Sequence, residues 1–442
     1  MKYIASILLI GSSLFSNQCS TVFPDVFSSE ASIVFNSHLK VKSKSNVLQT
    51  PVLNQTRIKS RCNGSKCEFS NTTPNSLPVF TFISSTNEDT VEINEDITYE
   101  QENIPNIIVV SDNVTVTFKA PIATNSFNPI QKIGAIKIEG KNTTLVFEAG
   151  DYYIKSVNTN ASQKKDTLLM MSKGASRLFV DENFQVDKNL KINTPVDESR
   201  KKLCNFIFKK KKESISSKEF IIYVKQNIEL NAKYEISSIL YGYEDIFMST
   251  NAQNRFNGAI HANGNLTLGD KKRLSSGKFT YDEEAVLSLY KDTTCKALPS
   301  EVDEELNNST VLGIDENRNG VRDDVELWIF KTYDNQAEQM MFMQSANAYQ
   351  IAISDPSKAY ENVKIMDKAV KCSSRIIRSS EKLKTKYGYT NADKDLEKKQ
   401  FNTIKRHIAY ERYNGVLSGG TFNLGKRSKD DCIFDIDSIV MP

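Results

Sequence analysis

The chain has 442 residues, 39% of them hydrophobic, and a mean hydropathy of −0.42, which excludes a polytopic membrane protein. Its 23 Phe and 17 Tyr exclude a wholly disordered chain. The 57 basic and 54 acidic residues leave a net charge of +3, so nothing in the charge argues for a nucleic-acid partner, and only three histidines, His38, His261 and His407, are available for histidine chemistry.

The opening segment reads as an export signal. Lys2 supplies a positive charge, Ile4 to Ile10 form an apolar run too short to span a bilayer, and small residues follow at Gly11, Ser12 and Ser13. Residues 1–20 are assigned to this signal, and no transmembrane segment is expected in the mature chain. Processing has two alternatives: cleavage after Ser16, or lipidation of Cys19, which stands where a lipoprotein carries its modified cysteine although Gln18 replaces the usual small residue before it. Setting Cys19 aside leaves Cys62, Cys67, Cys204, Cys295, Cys372 and Cys432, an even number that reads as disulfides in an exported protein. Proximity favours Cys62–Cys67, a shared C-terminal region favours Cys372–Cys432, and Cys204–Cys295 remains by elimination.

Residues 21–75 are rich in Ser, Asn and Thr and read as a cap region. Residues 76–290 carry short β-branched and aromatic runs, including Val79–Ile83, Ile107–Val110, Val114–Phe118, Leu145–Phe147, Phe220–Val224 and Ala259–Ala262, bounded by Asn, Asp, Gly or Ser. Internal echoes favour a solenoid. Asn113-x-Thr115-x-x-Phe118-x-Ala120 returns 29 positions later as Asn142-x-Thr144-x-x-Phe147-x-Ala149, and Asn189–Asn193 returns as Asn227–Asn231 and Asn265–Gly269 at steps of 38. An Asn beginning each strand would bond to the neighbouring rung, with Ile192, Leu230 and Leu268 facing one core. Asp151, beside Tyr152 and Tyr153, is the best carboxylate for an enzymatic reading, but spacing identifies no partner acid, and a turn residue after Gly150 explains it as well. Tyr241 and Tyr243 could form a sugar-stacking platform or pack internally.

Residues 291–312, with Pro299, an acidic cluster and Asn307-Asn308, read as a linker. Residues 313–442 then switch to helical spacing. Val325, Trp328 and Ile329 mark one helix. Ala337, Met340, Met341, Ala348 and Ala352 mark a second, and Val363, Met366, Ala369, Val370 and Ile377 a third that starts near Pro356 and ends at Gly388. Leu396, Phe401, Ile404 and Ile408 mark a fourth.

The sharpest chemical motif opens this region. Asp315, Asn317 and Asn319 alternate as oxygen ligands, Gly320 permits a tight turn, and Val321 offers a carbonyl. Asp323 lies at the ninth position and Glu326 at the twelfth. This is the ligand order of an EF-hand-type Ca²⁺ loop. Arg322 departs from the apolar residue expected at the eighth position, and no convincing helix precedes the loop, so a single extracellular-type site with an affinity of about 10⁻⁴–10⁻³ M is expected.

Several short motifs occur in an order that resembles one group. They are Val22–Val26, Ile33–Phe35, Ser60–Cys67, Ala149–Tyr153, Arg177–Val180, Phe220–Val224, Phe256–Ala262 and Thr280–Asp282. Over residues 20–285 they resemble the exported repeat region of the MSHA (mannose-sensitive haemagglutinin) pilus biogenesis protein Q type. The resemblance implies a right-handed β-solenoid on an exported protein associated with pili or the cell surface, and it carries over no catalytic residue. The module after residue 313 departs from that architecture and resembles modules of uncharacterised exported proteins. The expectation is therefore a mainly β plus α protein: a β-solenoid followed by a small helical domain with an EF-hand-like loop. It would be located in the periplasm, at the outer surface or outside the cell. Its partner would be a cell surface, a pilus or a polysaccharide, not a nucleic acid. The alternatives are a β-helix carbohydrate-active enzyme and an envelope-anchored lipoprotein with a binding role.

Overall fold

Alternation of apolar and polar residues puts side chains on opposite faces of a strand, and strands so patterned must stack to cover their inner face. A computed structural model of the chain describes residues 18–442 except 46, 56–60, 78, 80–84, 86, 88, 102, 121–129, 160–165, 195–215, 270–275, 288, 291–295, 298, 300, 334, 389–393, 423–424, 435, 437–438 and 440. It is a mixed α/β protein, with a large and mostly parallel sheet followed by a C-terminal helical region. The expected strand Val79–Ile83 lies mostly outside the described residues.

The parallel register builds columns of like residues. Val116, Leu145, Met170, Ile192, Ile236, Phe256, Phe279, Val41 and Cys62 follow one another at a single register, and all are buried. A second column runs Tyr152, Leu178, Ile222, Leu240, Ile260 and Phe27. A third runs Ile107, Ile136, Val157, Phe184, Ile228, Ile246, Leu266 and Ile33. These residues form one buried cluster, which also contains Leu230 and Leu268. Burying each such side chain is worth roughly 1.5–3 kcal/mol, so the columns dominate the stability of the sheet.

The sequence echoes map onto these ladders in two different ways. Thr115 pairs with Thr144 and Phe118 with Phe147, so the 29-residue step is one strand spacing, with the Phe rings stacked at 5.0 Å. The 38-residue step is not. Ile228 pairs with Ile246, which pairs with Leu266, so the strands Ile228–Leu230 and Asn265–Leu268 are two spacings apart, and Asn189–Ile192 belongs to a different ladder. The bonding role expected of asparagine is present at one corner. The side-chain oxygen of Asn183 accepts from Asn227 N–H (3.1 Å), that of Asn227 from Asp245 N–H (3.2 Å), and that of Asp245 from Asn265 N–H (2.7 Å).

The expected N-terminal cap region is part of the same sheet. Phe27–Ser29, Ser32–Phe35 and His38–Lys42 pair in parallel with the strands at 260–262, 265–268 and 276–280. The strands Thr90–Ile93 and Ile97–Tyr99 stand at the opposite end, against 106–109 and 116–118. The ladder from 97–99 to 61–62 is about 45 Å long at ~4.8 Å per strand. Leu77 is buried against it and donates its N–H to the Tyr241 hydroxyl at 2.8 Å.

The expected linker contains a helix, Glu304–Ser309, whose N-cap Asp303 accepts from Leu306 N–H. Beyond it lie Asp323–Thr332, Gln336–Ser354, Ala359–Ser379, Glu381–Tyr387, Lys394–Gln400 and Ile404–Leu417. The third expected helix is interrupted at Ser380, which N-caps a new helix that ends at Gly388 with φ +60°. The fourth is split at 401–403, where Thr403 caps a new start. Met341 and Met343 are core residues, but Ile404 and Ile408 point outward, at 79% and 47% exposure. The disulfides Cys62–Cys67 and Cys372–Cys432 are present. Cys19 is buried and disulfide-bonded, so its sulfur is not free for the thioether of a lipid anchor. Cys204 and Cys295 lie outside the described residues. No helix among the described residues is long and apolar enough to cross a membrane.

Truncating a column residue should leave a cavity that the rigid neighbouring strands cannot close. Ile236→Ala is expected to lower the unfolding free energy in urea by about 2–5 kcal/mol, whereas Lys191→Ala, on the exposed side of a neighbouring strand, should stay within about 0.5 kcal/mol.

Candidate metal centre

Alternating Asx side chains fold the 315–321 segment on itself by accepting its own N–H groups, a local competition that only short polar side chains can win. Asp315 accepts from Asn319 N–H (3.1 Å) and Gly320 N–H (2.9 Å). Asn317 accepts from Asn319 N–H (3.1 Å), and Asn319 from Val321 N–H (2.8 Å). Gly320 turns the chain at φ +76°. The loop then enters the helix Asp323–Thr332, and the preceding helix Glu304–Ser309 supplies the flank that the sequence had not revealed. Its signal was Asp303 with Glu304 and Glu305 behind it, a capped acidic first turn too short for periodicity to register.

Five of the six expected ligand residues are at least largely buried: Asn317, Asn319, Val321, Asp323 and Glu326. Glu326 reaches back to the loop, where its Oε2 accepts from Asn317 Nδ2 (2.9 Å) and Asn319 Nδ2 (2.7 Å). Its Oε1 is buried without a hydrogen-bond partner. Asp323 accepts from Glu316 N–H at 3.1–3.2 Å, and burial, reinforced by the charges of Glu326, Asp315 and Glu316, pushes its carboxyl up to about 8. A buried carboxylate with a bare oxygen next to a second strained carboxyl is an arrangement that a hard cation relieves. Among the described residues no three His, Cys, Asp or Glu side chains converge on a ready-made metal site. Half of the expected set consists of Asn side chains and a carbonyl, and the two Asn amides now face Glu326 through nitrogen.

Arg322, the departure from the expected apolar eighth position, turns away from the loop. Its fully buried guanidinium bonds Asp324 (2.5 Å) and donates to the carbonyls of Gln400 and Lys399 (2.9 Å each), which end the helix Lys394–Gln400. These are terminal carbonyls with no helical partner, so a cation satisfies both their bonding and the helix dipole. Arg406, which the sequence did not flag, closes the other side. It donates to the carbonyls of Val311 (3.0 Å) and Asn307 (2.6 Å), and its pKa is pulled down to about 10 by burial and by neighbouring Arg322.

The loop also touches the sheet. Arg318, at φ +54°, donates to Glu148 at 2.9 Å. Glu148 sits where the register of its strand shifts, a bulge that re-aims a side chain. Glu316 packs over Gly174, with its Cγ 3.6 Å from where a Cβ would stand.

The other candidates are closed. Asp151 stands within the strand Thr143–Thr159, not in the expected turn, and is held in a buried bidentate pair by Arg177 (2.7 and 2.6 Å). Tyr241 is buried and stacks on His261 at 4.7 Å, so it packs internally. His261 bonds Ser28 Oγ (2.9 Å) through Nδ1 and Asn263 Oδ1 (3.1 Å) through Nε2. This resembles a nucleophile, base and orienter in outline, but Ser28 and His261 are fully buried, and the trio ties the strand Phe27–Ser29 to Arg255–Ala262. No protein family, curated protein or solved structure matches the chain.

Burial lowers the His261 pKa to about 4 from the ordinary 6.5. As pH falls the unfolded chain takes up this proton first, so stability is lost between about pH 6.5 and 4 and is constant below that window. The contribution is on the order of 3 kcal/mol. His261→Asn is expected to remove this component from the difference between unfolding free energies measured at pH 7 and pH 4.5.

Proposed function

We propose that this chain is an exported cell-surface or pilus-associated structural protein of adhesin type, without catalytic activity. Its parallel ladders wind as a right-handed β-solenoid, and calcium at 315–326 stabilises the C-terminal module. The observation that carries the reading is the position of the loop. It lies between the stacked strands and the helices, tied to the first by Arg318–Glu148 and opening the second at Asp323, with the bare Oε1 of Glu326 at its centre. Continuous apolar columns and one-spacing echoes support a rod, and right-handed crossovers are the rule between parallel strands. Such a rod displays a surface rigidly.

The side chains of Asp315, Asn317, Asn319, Asp323 and Glu326, with the Val321 carbonyl, would hold Ca²⁺. The ion would supply positive charge to a buried acidic loop and so lock the junction; the Asn amides would turn their oxygens inward. The alternative of a polysaccharide lyase or hydrolase needs a carboxylate free to act, and Asp151 is occupied by Arg177. The alternative of a lipid-anchored binding protein needs the Cys19 sulfur that the disulfide uses.

At about 10 mM Ca²⁺, some 10–100 times the expected dissociation constant, the protein should gain about 1.4–2.7 kcal/mol over its value in EDTA. Asp315→Ala should remove the gain. Identical thermal unfolding with Ca²⁺ and EDTA would exclude the calcium reading. Cell fractionation with mass spectrometry of the mature N-terminus tests export, and an unprocessed cytoplasmic chain would refute it.

A further inference from the structure

The side of the sheet around its N-terminal strands carries cations at one register. Arg255 pairs with Lys278, Lys278 with Lys40, and Lys40 with Arg61, so four basic side chains stand on four successive strands. Lys42, two residues along from Lys40, and Lys66, opposite Arg61 in the hairpin closed by Cys62–Cys67, extend the patch. All six are exposed, and among the described residues none forms an ion pair with a carboxylate. Among the described residues the only acid in line is Glu235, at the far end beside Arg255.

Neighbouring strands are ~4.8 Å apart, and like charges directly opposite one another are destabilising. A near-neutral chain with 54 acidic residues could have alternated the signs here. Protection of a sheet edge by lysine accounts for the last strand alone. Arg255 and Lys278 lie on strands paired on both sides, where no edge needs blunting. The stripe therefore meets the requirements of a ligand.

We propose that this stripe binds an acidic polysaccharide laid across the strands, with successive carboxylates on Arg255, Lys278, Lys40 and Arg61. A cavity of about 270 Å³ adjoins it, lined by Arg255 and Lys278 with Asn257 and Thr280, whose amide and hydroxyl suit sugar hydroxyls; Glu235 also lines it, at the end away from Lys40 and Arg61. A single-stranded nucleic acid would want aromatic platforms between the cations. The outward positions 40, 42, 255, 257, 278 and 280 are Lys, Lys, Arg, Asn, Lys and Thr. The proposal deepens the adhesive reading and rests on it, but it does not depend on calcium.

The test uses the full chain in calcium-free buffer at about 50 mM salt, with polygalacturonate, dextran and a single-stranded DNA as probes. Polygalacturonate should bind, dextran should not, and binding should weaken steeply with salt. K40E/K278E should weaken it at least tenfold without lowering thermal stability, and the milder K40Q/K278Q should weaken it less. K364E/K382E, the same charge change on exposed helical residues, should leave binding as it was. The proposal is overturned by no binding of polygalacturonate, by equal losses in both charge-reversal pairs, or by tighter binding of the DNA, which would point to a nucleic-acid partner. If polygalacturonate fails while the calcium response and export persist, the partner is wrong and the surface-protein reading stands.

Discussion

An inward side chain in this sheet is covered by the residues at the same register in the strands before and after it. That stacking is the constraint on which the other features depend. It makes Phe118 and Phe147 lie ring on ring and sets Ile236 between Ile192 and Phe256. It also makes corner residues repeat, because an Asn or Asp whose oxygen meets the next strand's N–H recurs wherever the chain turns at the same height. The outward face obeys the same geometry, so whatever stands outside at one register is also stacked. In a sheet like this, surface chemistry arrives in rows.

The helical region is organised differently. Its irregular connections would leave terminal carbonyls without partners, and two buried arginines meet that need. Arg322 closes the end of Lys394–Gln400, and Arg406 gathers carbonyls from the last turn of Glu304–Ser309 and the segment after it. Arginine suits this task because its planar fork carries five donors and keeps its charge when buried. The acidic loop lies beside them, yet Arg322 serves Asp324 and the carbonyls and leaves Glu326 to the two Asn amides.

Much of this was legible from residues. Short β-branched and aromatic runs located the strands Thr115–Phe118 and Phe220–Val224 and the end of Arg255–Ala262, proximity located Cys62–Cys67, and Asx alternation located the loop. What periodicity does not encode is which strand lies next to which. Ser32 and Asn265 are 233 residues apart and bonded, and nothing local in either announces it. The same gap hid the role of 27–62 and joined Asn189–Asn193 to echoes on another ladder. Arg406 was invisible because its partners are backbone carbonyls, which every residue has, and the ordinary side chains of Asn308 and Asn402. Ile404 and Ile408 misled because spacing fixes a helix face but not whether that face meets a neighbour.

The placement of the first strands has a consequence for how the molecule is made. Phe27–Ser29, Ser32–Phe35 and His38–Lys42 leave the ribosome early, yet their partners at 260–280 arrive after most of the chain. Until then the hairpin at 61–66 can close and the three strands can pair with 47–49, 52–55 and 61–62, but their other side has unsatisfied backbone. Such topology folds slowly, since long loops must close before their contacts contribute. The molecule thus completes itself by bringing its beginning to its middle, and a chain stalled before residue 280 would present open strand edges to its neighbours.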